Sequence, residues 1–433
     1  MNTCHQLLKQ LQAGDFDARL TKLYAPNGDL SLLAPNKDRV AHVMEQYLEH
    51  FPTCVDNEVA IFSAPGRTEI GGNHTDHQHG CVLCASVNLD MLACASANDS
   101  GVVRIYSEGY PLLTVDLSDM TVQESEKNTS MALVRGVAAK IASMGYTIQG
   151  IDAYVTSTVL GGSGLSSSAA YEVLVGVMFN HFCCKGEIDP ITIAKIGQYA
   201  ENYYFGKMCG LMDQTGSSVG GVVAIDFCDP SAPVVKKVDF DFATAHHALC
   251  IVDTMSDHAD LSDDYSMIPQ EMTAVAELLG AEKLRHVDES KFWASIADLR
   301  GKVSDRAIVR AIHFFADNQK AQDEAAALEH GDFQGFLDLI KASGISSATH
   351  LQNIWVSRTP QNQAVTIALA AADRLLDGVG ASRVHGGGFA GTIQAFVPYE
   401  KLDTFKAGME AVLGVGTCHV LYIRQEGGVV VCN

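Results

Sequence analysis

Residues 151–182 read IDAYVTSTVLGGSGLSSSAAYEVLVGVMFNHF, and the fold prediction starts from this stretch. Its β-branched residues predict a strand over 151–159, and its long apolar run predicts a helix from about 166 to 182. The glycine-serine loop at 161–170 joins the strand to the helix N-terminus. Glycines let a backbone approach a ligand closely, and the first N–H groups of a helix favour phosphate. The loop is either a phosphate-binding loop or an ordinary serine-capped turn, and it lacks the Gly-Lys-Ser/Thr of a Walker A motif.

Two carboxylates follow this helix, within AENYYFGKMCGLMDQ at residues 200–214. The pattern predicts a second helix over about 190–205 that ends near Gly206, which places Glu201 close to the helix end. Asp213 lies in an apolar setting, where a carboxylate is costly to bury without a partner. Phosphoryl transfer needs a magnesium ligand and a group that orients the attacking hydroxyl. The simpler alternative is a capping aspartate and a solvated glutamate.

A third segment, GRTEIGGNHTDHQHG at 66–80, holds a dense run of polar side chains between glycines. The preceding strand, 58–63, is predicted to break at Pro65-Gly66. So many short polar groups suit a hydroxyl-rich ligand, whose donors and acceptors must each be paired. A solvated loop and a metal site are the alternatives. The residues of metal-ligand type are His74, Asp76, His77 and His79.

With 433 residues, 47% of them hydrophobic, the chain is predicted to form two closely packed lobes. The predicted divisions are an N-terminal helical extension at 1–55, an N-terminal lobe at 56–235 and a C-terminal lobe at 236–433. A glycine triplet at 386–388 lies between two strand-like runs of the second lobe.

The chain carries a net charge of −21, with 30 basic against 51 acidic residues. Such acidity repels nucleic-acid phosphates and anionic membrane surfaces, so neither is an expected partner. The sequence has no signal-peptide pattern and no apolar run long enough to cross a bilayer, and the expected location is the cytoplasm. The twelve cysteines, including the Cys81 and Cys84 of a lone CxxC, are expected to be reduced and buried.

Three ordered motifs give the chain a resemblance to the GHMP small-molecule kinases, and within them to the galactokinases. APGRTEIGGNHTDHQHG at 64–80 resembles the galactokinase sugar-binding signature, and GLSSSAA at 164–170 matches the ATP-loop motif. MDQ follows at 212–214, and HGGGFAG at 385–391 is similar to the third, glycine-rich motif. The resemblance runs from about residue 58 to the C-terminus. It implies a two-lobed α+β GHMP kinase fold with the active site in the cleft between the lobes.

The resemblance also implies a role for each matching residue. Asp213 matches the catalytic aspartate that takes or orients the proton of the anomeric hydroxyl, and Arg67 matches the arginine that pairs with it. Glu201 and Ser167 match ligands of Mg²⁺. The implied sugar-binding residues are Asn73, His74, Asp76, Gly210 and Tyr265, the last of which follows His258 by seven residues. The implied ATP-binding residues are Gly162, Gly164, Leu165, Ser166, Ser167, Ser168 and Ala169.

Several positions depart from the family pattern. Asn73 replaces the glutamate before His-Thr-Asp, a position that contacts the C6 hydroxyl of the sugar, and Glu69 replaces an asparagine. Elsewhere, Leu160 replaces a proline, His385 a threonine and Ala390 a glycine. None of these changes removes the chemistry. Asn73 and a changed Tyr-Asn-Gly run, which reads His77, Gln78 and His79 here, leave the identity of the sugar open.

The expected activity is transfer of the γ-phosphoryl group of ATP to O1 of galactose, by a monomer that uses ATP and Mg²⁺. The first alternative is a kinase of a related sugar, such as galacturonate, an N-acetylhexosamine or arabinose. The second is a non-catalytic sugar sensor, although such proteins typically have damaged ATP-loop motifs and this loop is intact. A mevalonate-type or homoserine-type kinase fits the His-Thr-Asp cluster poorly.

Overall fold

A nine-stranded sheet and a four-stranded sheet organise the two halves of the chain. The computed structural model describes residues 2–25, 28–159, 164–256 and 261–433. The first eight strands of the larger sheet are β1 Asn2–Thr3, β2 Glu58–Gly71, β3 Cys81–Asn98, β4 Val102–Ser107, β5 Leu113–Asp116, β6 Gly150–Ser157, β7 Val222–Asp226 and β8 Val234–Val238. The smaller sheet consists of β9 His247–Asp253, β10 Ala381–Val384, β11 Thr392–Pro398 and β12 Cys418–Leu421. The last strand, β13 Val429–Cys432, returns to the larger sheet.

Long antiparallel strands form the centre of the larger sheet. Its order is β1-β2-β3-β6-β4-β5, with β13 beside β2 and with β7 and β8 extending from β3. The pair β4 and β6 is parallel, whereas the other pairs of named strands are antiparallel. The smaller sheet has the order β10-β11-β9-β12. Because β13 joins the first sheet, residues 429–432 belong to the same layer as residues 58–98. The lobe boundaries at residues 55 and 235 remain predictions.

Helices cover both sheets. They are α1 Cys4–Ala13, α2 Asp17–Tyr24, α3 Leu33–His50, α4 Ser130–Ser143, α5 Ser167–Cys184, α6 Pro190–Tyr199, α7 Met212–Val219, α8 Ser262–Leu278, α9 Glu289–Leu299, α10 Asp305–Glu329, α11 Phe333–Ser346, α12 Ala364–Leu376 and α13 Leu402–Leu413. Turns of π-helix follow α6 at Ala200–Phe205 and α11 at Ser347–Leu351. Within the described ranges, no helix is both long enough and apolar enough to cross a bilayer.

Strand β3 shows why the larger sheet is covered on both faces. Its side chains alternate, as the period of two in a strand requires. Ala93 and Ala95 pack in the core that includes α4 and α5, whereas Leu92 and Cys94 pack in a second core with α1, α2 and α3. The N-terminal helices are therefore an integral layer of the first lobe.

The two lobes share hydrophobic core. The cluster that contains α5 and β3 also includes Ile251 of β9, Phe336 of α11 and Phe396 of β11, all fully or nearly fully buried. Core that runs across the boundary fixes the relative position of the lobes, because its apolar surface would be exposed if they separated.

The segments predicted around the glycine-serine loop are confirmed as β6 and α5, with boundaries shifted by one or two residues. The predicted break at Pro65-Gly66 is wrong. Strand β2 continues to Gly71, and its pairing with β3 shifts register between Pro65 and Arg67. A bulge lets the strand pass a proline that lacks an N–H and re-aims the side chain that follows.

A buried carboxylate joins three segments of the first lobe. Asp90 of β3 is fully buried and accepts hydrogen bonds from Arg39 Nη2 at 2.7 Å and from Tyr24 Oη at 2.6 Å. Arg424, near the C-terminus, donates to it at 3.2 Å, and Ser63 of β2 also donates to it. Burial alone would raise the pKa of Asp90, but the charges of Arg39 and Arg424 and the two hydroxyl donors lower it. Asp90 therefore ties the N-terminal helices and the C-terminal segment to the sheet.

Replacing Asp90 with Asn is expected to lower the free energy of unfolding by about 3–5 kcal/mol, because it leaves buried guanidinium groups without their counter-charge. Urea denaturation at neutral pH measures this. The exposed Asp99→Asn substitution on the following turn is the control and should change stability by less than about 0.5 kcal/mol. Equal stabilities of the two variants would contradict the assigned role.

Candidate active site

The glycine-serine loop ends at the N-terminus of α5, which has no side-chain cap among the described residues. Helix α5 begins at Ser167, and the preceding Ser166 has a left-handed backbone with φ of +56°. No side chain among the described residues caps this helix; the Ser166 hydroxyl instead donates to Oδ2 of Asp213 at 2.7 Å. The serine-capped turn is therefore not the arrangement found here. The first turn of α5 keeps the positive end of the helix dipole for an anion.

The other residues of the predicted ATP loop lie around this helix start. Leu165 and Ala169 are fully buried, whereas Ser167 and Ser168 line a large cavity. Gly164 has φ of +74°, and a Cβ there would lie 3.2 Å from the imidazole ring of His385. Outside the described residues lie Leu160, Gly162 and His258.

Arg67 and Asp213 form the ion pair at the centre of the site. The Nε and Nη2 atoms of Arg67 lie 2.9 and 2.8 Å from Oδ1 of Asp213, and Nη1 of Arg67 donates to the carbonyl oxygen of Gly164. Arg67 is buried, whereas the Asp213 side chain keeps 34% of its surface exposed. Burial by itself would raise the pKa of Asp213, but the charge of Arg67 and the hydrogen bonds from Ser166 and Arg67 lower it. Asp213 is therefore an ionised carboxylate that remains accessible.

Glycines allow the segments around Arg67 to meet. A Cβ at Gly66 would lie 2.9 Å from the carbonyl oxygen of Leu165, and one at Gly216 would lie 2.9 Å from the Cβ of Arg67. The backbone N–H of Arg67 donates to Leu165 O at 3.0 Å. The bulge in β2 thus brings the strand against the loop, and Gly216 in α7 brings the helix that carries Asp213 against the strand.

Glu201 belongs to a second cluster of carboxylates, which is separate from the Arg67–Asp213 ion pair. It lies in the π-helical turn Ala200–Phe205 and is buried, with Lys207 Nζ 3.4 Å from its Oε1. The amide of Gln214 donates from Nε2 to Glu201 and also to Glu172 of α5, both at 2.9 Å. Isolated π-helical turns are frequent at functional sites.

The sequence analysis did not identify Glu172. This side chain is fully buried, and its pKa is raised well above the usual range by burial and by the charge of Glu201, against the hydrogen bond from Gln214. The signal was present in the sequence, since a lone glutamate in the apolar run of α5 needs an explanation.

The cavity beside the loop has a volume of about 760 Å³, within the range of small-molecule sites. The elements that form its walls are β4 with the turn after it, the N-terminus of α4, the end of β6, the start of α5 and the π-helical turn. The residues that line it include Glu108, Tyr110, Leu112, Leu113, Ser130, Met131, Leu133, Thr156, Val159, Ser167, Tyr171 and Phe205. These positions are scattered over about one hundred residues, and the sequence analysis named only the serines.

The polar segment 66–80 folds as the end of β2 and a tight loop. A Cβ at Gly210 would lie 3.0 Å from Oδ2 of Asp76, so these two predicted sugar-binding residues are adjacent. His74 has a left-handed backbone, and its Nε2 lies 3.0 Å from the carbonyl oxygen of Gly387. A carbonyl can only accept, so Nε2 carries the proton and Nδ1 is left as an acceptor. Burial and the neighbouring His77 lower the pKa of His74 to about 4, so the imidazole is neutral at physiological pH.

The glycine triplet and Tyr265 close the other side of this loop. The hydroxyl of Tyr265 donates to Gly388 O at 2.9 Å, and a Cβ at Gly387 would lie 2.4 Å from the tyrosine ring. The third motif therefore packs directly on both His74 and Tyr265. Of the departures in this motif, His385 is buried between the hydroxyls of Thr68 and Thr392, at 3.0 and 2.9 Å, and Ala390 is buried.

Asn73 is placed differently from the other predicted sugar-binding residues. Its side chain is fully buried, and its Nδ2 donates to Glu69 at 2.8 Å and to Gly386 O at 2.7 Å. Its Oδ1 accepts from Asn353 at 2.8 Å and from Ser347 at 3.3 Å. Because both ends of the amide are already occupied, this arrangement weighs against a direct contact between Asn73 and a sugar.

Glu69 and Asn73 are partners, so two of the departures from the family pattern form one contact. Arg383 also donates to the same oxygen of Glu69, Oε1, at 3.1 Å. The family pattern has asparagine and then glutamate at these positions, and this chain has the reverse order. Burial raises the pKa of Glu69 to about 7, with Arg383 and Asn73 opposing the shift and Asp76 adding to it. A carboxyl group with a pKa near neutral thus lies beneath the loop that the sequence predicts to bind the sugar.

The assembled site suits phosphoryl transfer to a hydroxyl group. It contains an anion-binding helix start, an accessible carboxylate held by arginine, a buried carboxylate of metal-ligand type and a loop of short polar groups. These groups position reactants and stabilise charge, and positioning with electrostatic stabilisation is the main requirement of this reaction.

Comparison with known families and proteins agrees with this chemistry. Residues 45–97 match the galactokinase galactose-binding signature, and residues 132–221 match the GHMP kinase N-terminal domain. The chain is 30% identical over 347 residues to a galactokinase of Mannheimia succiniciproducens, an alignment that covers 78% of this chain and 86% of that protein. It is 28% identical over 353 residues to a galactokinase of Streptomyces coelicolor, covering 81% and 87% respectively.

Solved structures share the fold. The galactokinase of Lactococcus lactis, crystallised with galactose, aligns with a TM-score of 0.74 at 24% identity and covers 89% of this chain and 99% of that one. A mevalonate kinase aligns with a TM-score of 0.59 at 13% identity over 84% of this chain and 99% of that one. The predicted two-lobed α+β architecture is confirmed.

The raised pKa of Glu69 predicts a pH-dependent contribution to stability. Between its unfolded pKa of about 4.5 and its folded pKa of about 7, the folded chain binds more protons, so stability falls as pH rises through this window. Glu69→Gln is expected to reduce the loss of unfolding free energy between pH 5 and 8 by about 2–3 kcal/mol. Urea denaturation across this range measures the difference. Glu400→Gln, at an exposed position, is the control, and parallel curves for the two variants would contradict the assignment.

Proposed function

This chain belongs to the galactokinases of the GHMP kinase superfamily, ATP-dependent sugar kinases, and from that membership we propose how its residues phosphorylate galactose at O1. The observation that carries the proposal is the carboxylate of Asp213, held by Arg67 and Ser166 at the start of α7 and still 34% exposed. A fixed and accessible anion beside a phosphate-binding helix start can take the hydroxyl of an acceptor.

Asp213 acts as the acceptor of a hydrogen bond from O1 of the sugar. Its lowered pKa keeps it ionised and makes it a weak base. Asp213 therefore orients O1 while the P–O1 bond forms and the bond from the γ-phosphorus to the β–γ bridging oxygen breaks, with ADP as the leaving group. The proton leaves O1 for Asp213 late, when phosphorylation has made O1 acidic. Arg67 fixes the carboxylate and contributes positive charge close to the transferred phosphoryl group.

The nucleotide occupies the 760 Å³ cavity and the loop. The apolar walls of the cavity, among them Leu112, Met131 and Phe205, suit a purine ring, and the uncapped start of α5 suits the phosphates. The hydroxyls of Ser167 and Ser168 face this cavity and supply donors to phosphate oxygens.

Glu201 and Ser167 are proposed to hold Mg²⁺. Both offer the hard oxygen donors that this ion prefers, and the carboxylate of Glu201 is already oriented by Gln214. The bound ion would neutralise charge on the β- and γ-phosphates.

The sugar is proposed to contact His74, Asp76, Gly210 and Tyr265, with Asn73 shaping the loop from beneath. Galactose is favoured over galacturonate because Glu69 and Asp76 already place two carboxyl groups at the loop. A uronic acid would add a third carboxyl group there, whereas a neutral hexose would not. N-acetylhexosamines and arabinose remain alternatives, and a cytoplasmic location and a monomeric state are further parts of the proposal.

Asp213→Ala is expected to lower galactose-dependent ATP turnover by at least about 10³-fold, because it removes the only group proposed to orient O1. A coupled assay of ADP release with galactose 1-phosphate analysis measures this. Asp213→Asn preserves the shape of the side chain beside Arg67. If this variant loses ATP turnover to a similar extent while its melting temperature is unchanged, the loss is due to catalysis and not to unfolding. The exposed Asp56→Asn is the control. Undiminished turnover in both Asp213 variants would contradict the mechanism.

A panel of galactose, galacturonate, N-acetylgalactosamine and arabinose is expected to give galactose a kcat/KM at least about 10-fold above the others. The same assay also tests the contact between Glu69 and Asn73, whose residue types are exchanged relative to the family pattern. Asn73→Glu should reduce kcat/KM by placing two carboxyl groups in contact, and the double exchange Glu69→Asn/Asn73→Glu should restore part of it. A higher value for another sugar in the wild-type chain would replace galactose as the substrate.

A further inference from the structure

Among the described residues, the wall of the cavity proposed for the nucleotide contains no positively charged side chain. Its described lining consists of apolar residues, hydroxyl groups and the single charged residue Glu108. The triphosphate of ATP carries about four negative charges, which Mg²⁺ compensates only in part. Apart from the positive end of the α5 helix dipole, positive charge from the protein therefore has to come from side chains at the rim.

Arg67 cannot supply all of this charge. It is buried, and its donors are committed to Asp213 and to the carbonyl oxygen of Gly164. The nearby imidazoles are neutral, since burial is the main cause that lowers the pKa of His74 to about 4 and that of His385 to about 3.

Lys207 is an exposed cation beside this rim. It follows Phe205, which lines the cavity, and Gly206, whose φ of +92° ends the π-helical turn. Its backbone N–H donates to Glu201 O at 3.1 Å, and its Nζ lies 3.4 Å from the Glu201 carboxylate. The Lys207 side chain is 64% exposed, and its charge also acts on Asp213, so it lies within electrostatic reach of both functional carboxylates.

The pairing of Lys207 with Glu201 is easily exchanged. At 3.4 Å it is longer than a strong charge-assisted hydrogen bond, and water competes for the lysine end of the pair because the Lys207 side chain is exposed. The lysine stem has several rotatable bonds, so the ammonium group can turn from the carboxylate to a phosphate on the same side of the loop.

We propose that Lys207 is a further catalytic residue, which leaves Glu201 when nucleotide binds and contacts the β- and γ-phosphate oxygens of ATP. In this role it frees Glu201 for the metal ion and stabilises the charge that develops on the transferred phosphoryl group. The proposal rests on the kinase function above and adds a residue to its phosphate-binding groups.

Calorimetry of ADP and adenosine binding, with EDTA present, tests this contact without the sugar, the metal or the reaction. Lys207→Met is expected to weaken ADP binding by about 10-fold or more and to leave adenosine binding unchanged, because only ADP carries phosphates. Lys207→Arg should keep ADP affinity within about threefold of wild type. The matched control is Lys127→Met, since the Lys127 stem lies 3.8 Å from the Cβ position of Gly206 and its ammonium pairs with Glu124.

Steady-state kinetics provide the second readout. Lys207→Met should lower kcat/KM for MgATP by about 10–100-fold while the KM for galactose stays the same. Wild-type ADP affinity of Lys207→Met in EDTA would overturn the proposal and leave Lys207 as a partner of Glu201 only. An equal loss for ADP and adenosine would also overturn it, because it would indicate a distorted cavity. If neither wild type nor Lys127→Met forms sugar phosphate, the kinase function fails, and the ADP measurement still decides the contact.

Discussion

The buried guanidinium group of Arg67 cannot remain unpaired, and the segments that supply its partners are those that form the active site. Asp213 comes from the start of α7 and the Gly164 carbonyl from the glycine-serine loop, while Arg67 itself follows the bulge in β2. Removing one partner of a buried ion pair costs more than the pair contributes to stability, so these segments are held in one arrangement. The same contacts keep Asp213 ionised, which links the folding of this region directly to its chemistry.

The sequence predicted well what local pattern determines. The strand, loop and helix around 151–182 were predicted from hydrophobic periodicity and from the positions of glycines, as was the helix that ends near Glu201. The order of the motifs along the chain assigned Arg67 and Asp213 to one site. Sequence reasoning failed where pairing across the sheet outweighs a local signal, as at Pro65-Gly66, where a bulge continues the strand. The 760 Å³ cavity was not predicted, because its walls come from strands and helices that are distant in the sequence.

Asn73 illustrates a different limit. A motif assigns a position to the sugar-binding loop, but only the packing determines whether the side chain faces the ligand. Here its amide is occupied by Glu69, Gly386 O and Asn353, which come from both lobes. Its backbone is held as well, with the N–H donating to Asp317 at 3.0 Å and His313 donating to the carbonyl at 2.9 Å. A buried polar network of this kind is rigid when its members are paired, so it fixes the loop against the second lobe.

The return of β13 to the first sheet has a consequence for how the protein is made on the ribosome. Strand β2 pairs with β13 at Ser63 and Phe62, and the buried Arg424 reaches Asp90 from the same C-terminal segment. Until Arg424 and β13 have been synthesised and have emerged, the nascent first lobe has an open strand edge and a carboxylate, Asp90, that lacks one of its two cations. Open edges of this kind pair readily with other chains. The order of residues along the chain therefore delays completion of the first lobe until the residues of the second sheet have been synthesised, although most of the first lobe is synthesised earlier.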